Sequence, residues 1–145
     1  MSAVGGAVDA GAGGSVGVRR RLVVPGLLAT LAATAVTTLA AAAGRAAGVE
    51  LEVPADGEQI PLSGIAFVTG AFSVVGVVLA AAFNRWSARP VAGFVRTTVA
   101  LTAVSLVPPF LVDAETGTAL TLVGLHLLAA AVMIPVLTRR LGPAR

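Results

Sequence analysis

The chain has no cysteine and no lysine, and only 12% of its 145 residues are charged. Because a thiol is absent, disulfide frameworks, thiolate metal sites and cysteine nucleophiles are excluded. A soluble domain carries about 25% charged residues, roughly twice the share found here. With 57% hydrophobic residues and a mean hydropathy of +0.94, the composition indicates an integral membrane protein.

The ten basic residues are all arginine and give a net charge of +3. They flank apolar segments, and no run combines arginine with aromatic residues. A nucleic-acid-binding protein instead gathers its basic residues on one face or along one helix, so we expect no nucleic-acid partner. The sequence also has no glycine-rich phosphate loop, and we expect no cofactor.

Four apolar runs are long enough to cross a bilayer. They cover residues 22–44, 60–83, 91–112 and 119–138. At ~1.5 Å per residue, about 20 helical residues cross a hydrocarbon core of ~30 Å. The third run is the weakest, because Arg96 lies in its first turns and Pro108 and Pro109 interrupt its far end. The sequence predicts an all-α membrane protein with a four-helix transmembrane bundle.

The N-terminal segment, residues 1–18, consists of small and apolar residues with a single acid, Asp9. Such a segment buries too little surface to offset its ordering entropy. We therefore expect a flexible cytoplasmic tail, followed by one membrane domain at 19–145. The basic start, the first apolar run and the small residues at 41–44 also fit a cleavable signal peptide, which would leave three spans. Because a signal peptide has a shorter apolar core of about 7 to 15 residues, an uncleaved span is favoured.

The distribution of arginine predicts the orientation. Nine of the ten arginines fall on one side of the four spans, whereas the other side holds only Arg45 and six of the seven acids. Short loops rich in arginine stay in the cytoplasm. Both termini should therefore be cytoplasmic and both acidic loops external, in the plasma membrane of a bacterium.

The first external loop predicts a short β-hairpin. It reads VELEVPADG over residues 49–57, so apolar and acidic residues alternate before a turn that contains glycine. Period-two alternation followed by such a turn is typical of a hairpin. Because an isolated hairpin is marginal in water, this one should pack on the helix ends or on the membrane surface.

Small and hydroxyl residues recur at i, i+4 spacing within the spans. Examples are Ala66 with Gly70, Gly76 with Ala80, and Thr98 with Thr102, followed by Ser105. Small residues let membrane helices approach closely, so we expect them at helix contacts and at a face for self-association. The hydroxyls should bond to backbone carbonyls four residues earlier. A polar path through the bundle is the alternative.

The single histidine, His126, is one of two residues that carry a functional signal. At ~1.5 Å per residue it lies about 10 Å inside the external end of the fourth run. Histidine suits proton exchange near neutral pH, and the nearest acids are Asp113 and Glu115, with Glu50 or Glu52 from the first loop. This candidate polar site would suit a hard cation or a proton relay, although its spacing defines no metal site. A neutral histidine bonded to a neighbouring hydroxyl or carbonyl is the favoured alternative.

Arg96 is the second residue with a functional signal. It lies about 9 Å into the third span, counted at ~1.5 Å per residue from Pro90, and its long stem can extend to the headgroups. The alternative is an anion or lipid-headgroup contact that Arg96 forms with Asn84 and Arg85 at the adjacent end of the second span.

The whole pattern from Arg21 to Arg140 resembles a known family. Its features are an acidic loop leading into IPL at 60–62, a turn with Arg85, a third span that ends in proline and Asp113, and a last span with LHLLAAA at 125–131. The family comprises short four-span bacterial integral membrane proteins and is classed only as a domain of unknown function. The resemblance implies the architecture and supplies no activity.

Three functional hypotheses follow. The leading one is a non-enzymatic accessory or scaffold subunit, whose partners are membrane lipids and either a second copy or another membrane protein. The second is a small transporter or carrier that uses His126, although the first span lacks the glutamate typical of small proton-coupled exporters. The third is a lipid- or prenyl-modifying enzyme with His126 and the external acids as acid and base.

Overall fold

The computed structural model describes residues 9–54 and 57–143. Its elements are α1 (Asp9–Ala46), β1 (Glu52–Val53), β2 (Glu58–Gln59), α2 (Leu62–Trp86), α3 (Pro90–Ser105), α4 (Pro108–Leu111) and α5 (Thr116–Thr138). Four segments of this part of the chain are long and apolar enough to span a membrane, and α3 with α4 forms the third of them. The predicted four-span helical architecture is confirmed, and the protein is a multi-pass membrane protein.

The helices extend beyond the apolar runs that predicted them. α1 begins at Asp9, within the predicted tail, while α2 continues to Trp86 and α5 already starts at Thr116. Hydropathy marks the part of a span that lies in the hydrocarbon core, whereas capping and backbone hydrogen bonds determine where the helix ends. Residues 1–8 lie outside the described residues, and a flexible cytoplasmic tail stays a prediction.

A Schellman motif ends α1. The amide of Val49 donates to the carbonyl of Gly44 at 3.0 Å, and the amide of Gly48 donates to that of Arg45 at 2.9 Å. Gly48 has a φ of 94°, which glycine adopts without the steric cost that a Cβ would bring. The motif reverses the chain into the loop between α1 and α2 and directs Val49 back toward the bundle.

The third span is broken, as its prolines predict. α3 ends at Ser105, and the amide of Val107 donates to Val104 at 3.1 Å in a tight turn before α4 begins at Pro108. Proline has no amide hydrogen and its ring clashes with the preceding turn. The break therefore follows directly from Pro108 and Pro109.

α1 packs most extensively against α2 and α5, and α3 lies at the edge of the bundle with fewer contacts. A Cβ placed on Gly26 of α1 would lie 2.9 Å from Val77 Cγ2 and 3.2 Å from Leu137 Cδ2. Of the small residues predicted at helix contacts, Gly70 faces α1 and Gly76 faces α5, since a Cβ there would lie 3.5 Å from Thr34 Oγ1 and 3.8 Å from Leu137 Cδ1. Two buried clusters divide the core along its length, and Phe94 belongs to the one near the arginine-rich end.

The predicted hairpin is also present. Glu52 pairs with Gln59 and Val53 with Glu58 in an antiparallel arrangement. Leu51, just before β1, is 0% exposed and belongs to the second core cluster with Ala41 and Ile65. Burying a leucine contributes about 1.5–3 kcal/mol relative to leaving it in water. The hairpin is therefore anchored on the helix ends, as its short strands require.

Candidate functional site

A cleft of about 440 Å³ lies between α2, α3 and α5. It exists because α3 packs loosely at the edge of the bundle. Its lining includes Val68, Phe72 and Leu101, which are also exposed, so the cleft opens to the surroundings of the bundle. No charged residue lines it. Ligand sites of this size are common between the helices of bundles.

The few polar groups of the cleft come from all three helices. They are Thr69, Ser73, Thr98, Thr102, Ser105 and His126. The hydroxyl of Thr98 donates to the Phe94 carbonyl at 2.8 Å, and that of Ser105 donates to the Leu101 carbonyl. For Thr98 and Ser105 these bonds confirm the expectation that span hydroxyls bond to their own helix, and they consume the hydroxyl hydrogens. Among the described residues, Thr102 of the same stripe donates no such bond, and all three residues of the stripe line the cleft.

His126 is half-buried and lines the cleft from α5. Its Nδ1 lies 2.8 Å from the carbonyl oxygen of Leu122. Because a carbonyl only accepts hydrogen bonds, Nδ1 must carry the hydrogen, and the neutral ring then presents an unprotonated Nε2. The predicted bond between the histidine and a carbonyl is therefore observed. Leu122, Ala129 and Met133, which helical spacing places on the same face as His126, line the same cleft.

The acids of the candidate polar site lie apart from His126. Because α5 starts at Thr116, His126 is ten residues into the helix, or about 15 Å at ~1.5 Å per residue, instead of the predicted ~10 Å. Asp113 and Glu115 are exposed before α5 begins. No group of three histidine, aspartate or glutamate residues that could hold a metal ion occurs in the described ranges.

The first-loop acids lie at the same end as the start of α5. Glu50 is exposed, and its backbone carbonyl accepts a hydrogen bond of 3.4 Å from the Thr118 hydroxyl. Glu52 is half-buried within β1. The loop is thus joined to α5 through its backbone, about 12 Å along the helix from His126 at ~1.5 Å per residue.

The three residues of the candidate anion contact lie in different environments and do not form one site. Asn84 is half-buried, and its Oδ1 accepts a hydrogen bond of 2.8 Å from the amide of Gly142. Arg85 is exposed, with its Cζ 5.9 Å from the centre of the Trp86 ring, within the range of a cation–π contact. Arg96 is exposed on α3 and does not line the cleft. Asn84 thus joins the end of α2 to the C-terminal segment.

Sequence reasoning missed Arg45 as a structural residue. Its guanidinium donates to the carbonyl of Ile60, which precedes α2, and its Nε is buried without a partner among the described residues. The guanidinium thus links the end of α1 to the start of α2. A signal was present, because Arg45 is the only arginine among the acidic loops.

Comparison with known proteins bears on the family and not on the site. Residues 17–143 match the model of a family described as a family of unknown function (DUF6069). No curated protein and no solved structure matches the chain.

Proposed function

The chain belongs to the DUF6069 family of unknown function, and we propose that it is a non-enzymatic accessory subunit of the bacterial plasma membrane that binds a hydrophobic molecule. The observation that carries this proposal is the apolar cleft of about 440 Å³ between α2, α3 and α5. An accessory subunit acts by binding, and the cleft is a concave surface of a size suited to a ligand.

The contrast between the cleft and the rest of the bundle supports a binding role. Small residues close the contact of α1 with α2 and α5, where Gly26 leaves no room for a methyl group. The cleft retains its volume although Gly76, Ala129 and Ala130 line it. Van der Waals contact is a main source of helix association in lipid, so a guest that fills the cleft would gain the contacts that these helices leave unmade.

We place both termini in the cytoplasm. α1 and α2 run antiparallel, because Gly26 lies at Val77 while Arg45 lies at Ile60. The arginine-rich segments therefore lie at one end of the bundle and the hairpin at the other, an arrangement that the positive-inside rule assigns to cytoplasm and exterior.

Cysteine labelling tests the orientation without background, since the native chain has no cysteine. Glu58→Cys and Arg140→Cys both replace exposed residues, at opposite ends of the bundle. A membrane-impermeant maleimide should label Glu58→Cys in intact cells and Arg140→Cys only after lysis. The reverse pattern would overturn the proposed orientation.

A small carrier is the second candidate, because His126 lines the cleft and is half-buried. A carrier would bind its substrate beside this ring and move it across the bilayer. Loss of flux into proteoliposomes in His126→Ala, with the cleft still able to bind apolar molecules, would favour this function over the accessory role. The lipid- or prenyl-modifying enzyme has less support, since the external acids start about 15 Å from His126 along α5.

Native mass spectrometry of protein released from lipid nanodiscs tests the binding role. Ala129→Phe fills the cleft, whereas Ala131→Phe, two residues away on the same helix, adds the same ring at an exposed position outside the lining. We expect the wild type and Ala131→Phe to retain an apolar adduct that Ala129→Phe loses. Equal retention by all three proteins, or none by the wild type, would contradict the proposal.

A further inference from the structure

We propose that the cleft selects a neutral amphiphile that carries a hydrogen-bond donor, such as a long-chain alcohol, with its hydroxyl on Nε2 of His126. This inference rests on the proposed binding role and names the chemical class of the ligand. It follows from which polar atoms of the cleft keep a lone pair after their own hydrogen bonds are made, and from the absence of charge among its lining residues.

The acceptors of the cleft include Nε2 of His126 and the hydroxyl oxygens of Thr98 and Ser105, while Thr69, Ser73 and Thr102 also line it and can donate as well as accept. Nδ1 of His126 gives its hydrogen to the Leu122 carbonyl at 2.8 Å, so Nε2 of the neutral ring is left with a lone pair. The hydroxyls of Thr98 and Ser105 likewise give their hydrogens to Phe94 and Leu101. Oxygen and nitrogen lone pairs therefore remain for a guest, and a guest with an O–H group complements them.

The lining also favours an uncharged guest. No arginine or acid lines the cleft, and Arg96 lies exposed elsewhere on α3. Transfer of an unpaired ion into such surroundings costs several kcal/mol or more, even after relaxation. A phosphate or free carboxylate would find no cation here, whereas a hydroxyl needs only one acceptor.

The depth of His126 makes this acceptor selective. The ring stands ten residues into a helix of 23 residues, about 15 Å from its start at ~1.5 Å per residue. The core of a bilayer contains no water to satisfy a hydroxyl. A guest hydroxyl that lies beside this ring is satisfied by Nε2, whereas an ether of the same length gains nothing from that nitrogen.

A matched pair of probes tests the inference. 1-Tetradecanol and its methyl ether have the same alkyl chain and differ in the donor hydrogen, so their binding to the purified protein is compared by native mass spectrometry. From the net value of a hydrogen bond, we expect the wild type to prefer the alcohol by about two- to tenfold. His126→Phe keeps a ring and removes both nitrogens, so the ratio should fall to about one. Ala131→Phe, which adds a ring outside the lining of the cleft, should keep the preference.

The outcomes separate this inference from the binding role on which it rests. Equal binding of both probes by the wild type, or a preference that persists in His126→Phe, would overturn the assignment of Nε2 and leave the cleft as a binding site. If neither probe binds the wild type, so that the wild type and Ala129→Phe give the same result, both the assignment of Nε2 and the binding role are overturned. If His126→Phe fails to fold, His126→Leu provides a second variant without ring nitrogens, and a wild-type ratio near one would by itself overturn the assignment of Nε2.

Discussion

Substitution of Gly26 by alanine should loosen the contact of α1 with α2 and α5. The added Cβ would lie 2.9 and 3.1 Å from the two Cγ atoms of Val77 and 3.2 Å from Leu137 Cδ2, whereas carbon atoms at optimal contact stand about 3.5–4.0 Å apart. Val77 is 5% exposed and does not line the cleft, so its side chain has little room to move, whereas the end of Leu137, which lines the cleft, can turn away. Valine is also stiff at χ1, and the helices themselves must separate by several tenths of an ångström.

The expected penalty is about 1–3 kcal/mol, the usual cost of an extra methylene in a packed core. Alanine is also the better helix former, by about 0.5–1 kcal/mol, and this gain must be separated from the steric penalty. Gly124→Ala provides the control, because Gly124 lies within α5 and a Cβ there meets nothing within 4 Å. The free energy of unfolding of Gly26→Ala should therefore lie about 1–3 kcal/mol below that of Gly124→Ala.

The assay is SDS-induced unfolding in mixed micelles, followed by the fluorescence of Trp86, the only tryptophan in the sequence. A second step tests the cause. Val77→Ala removes both atoms nearest to the new methyl group, so the double variant should be more stable than the sum of the single effects by about 0.5–3 kcal/mol. Equal stability of Gly26→Ala and Gly124→Ala, or simple additivity with Val77→Ala, would refute the steric reasoning.

Two further predictions concern the bonds that join the helix ends. Arg45→Met removes the donor to the Ile60 carbonyl and should destabilise the hairpin end by about 1.5–3 kcal/mol. Amide hydrogen exchange at Glu58 and Ile60 should become faster, and unchanged exchange would count against this link. Asn84→Ala removes the acceptor of the Gly142 amide and should weaken that end of the bundle by about 1 kcal/mol. Asn84→Asp keeps an Oδ atom and should retain the protection of the Gly142 amide from exchange. Equal protection in both variants would argue against the bond.

The architecture was predictable because bilayer thickness leaves few choices for an apolar run of 20 or more residues. The break at Pro108 and the hairpin after Val49 were predictable for local reasons, since proline lacks an amide hydrogen and alternation matches the period of a strand. The exact helix ends were not, because capping by Gly48 and backbone bonding extend helices beyond their apolar parts.

The candidate site was predictable only in part. Helical spacing places His126 with Leu122, Ala129 and Met133 on one helix face, and these residues do share the cleft. It did not predict that α3 would lie loosely enough to leave a cleft there, since hydropathy reports which residues leave water and not which helices touch. For the same reason the sequence grouped Asp113 and Glu115 with His126 too closely, because the earlier start of α5 adds about 5 Å to their separation.

The proline break has a consequence for the membrane around the protein. The 16 residues of α3 rise about 24 Å, so the last ~6 Å of a typical ~30 Å hydrocarbon core must be covered by the broken segment with α4. Hydrophobic mismatch costs fractions of a kcal/mol per ångström, so lipids that deform to match α3 without this segment lose about 1–3 kcal/mol. The edge formed by α3 should therefore favour short-chain lipids, and the local bilayer thickness, as well as any bound molecule, should set how firmly α3 rests against α2 and α5.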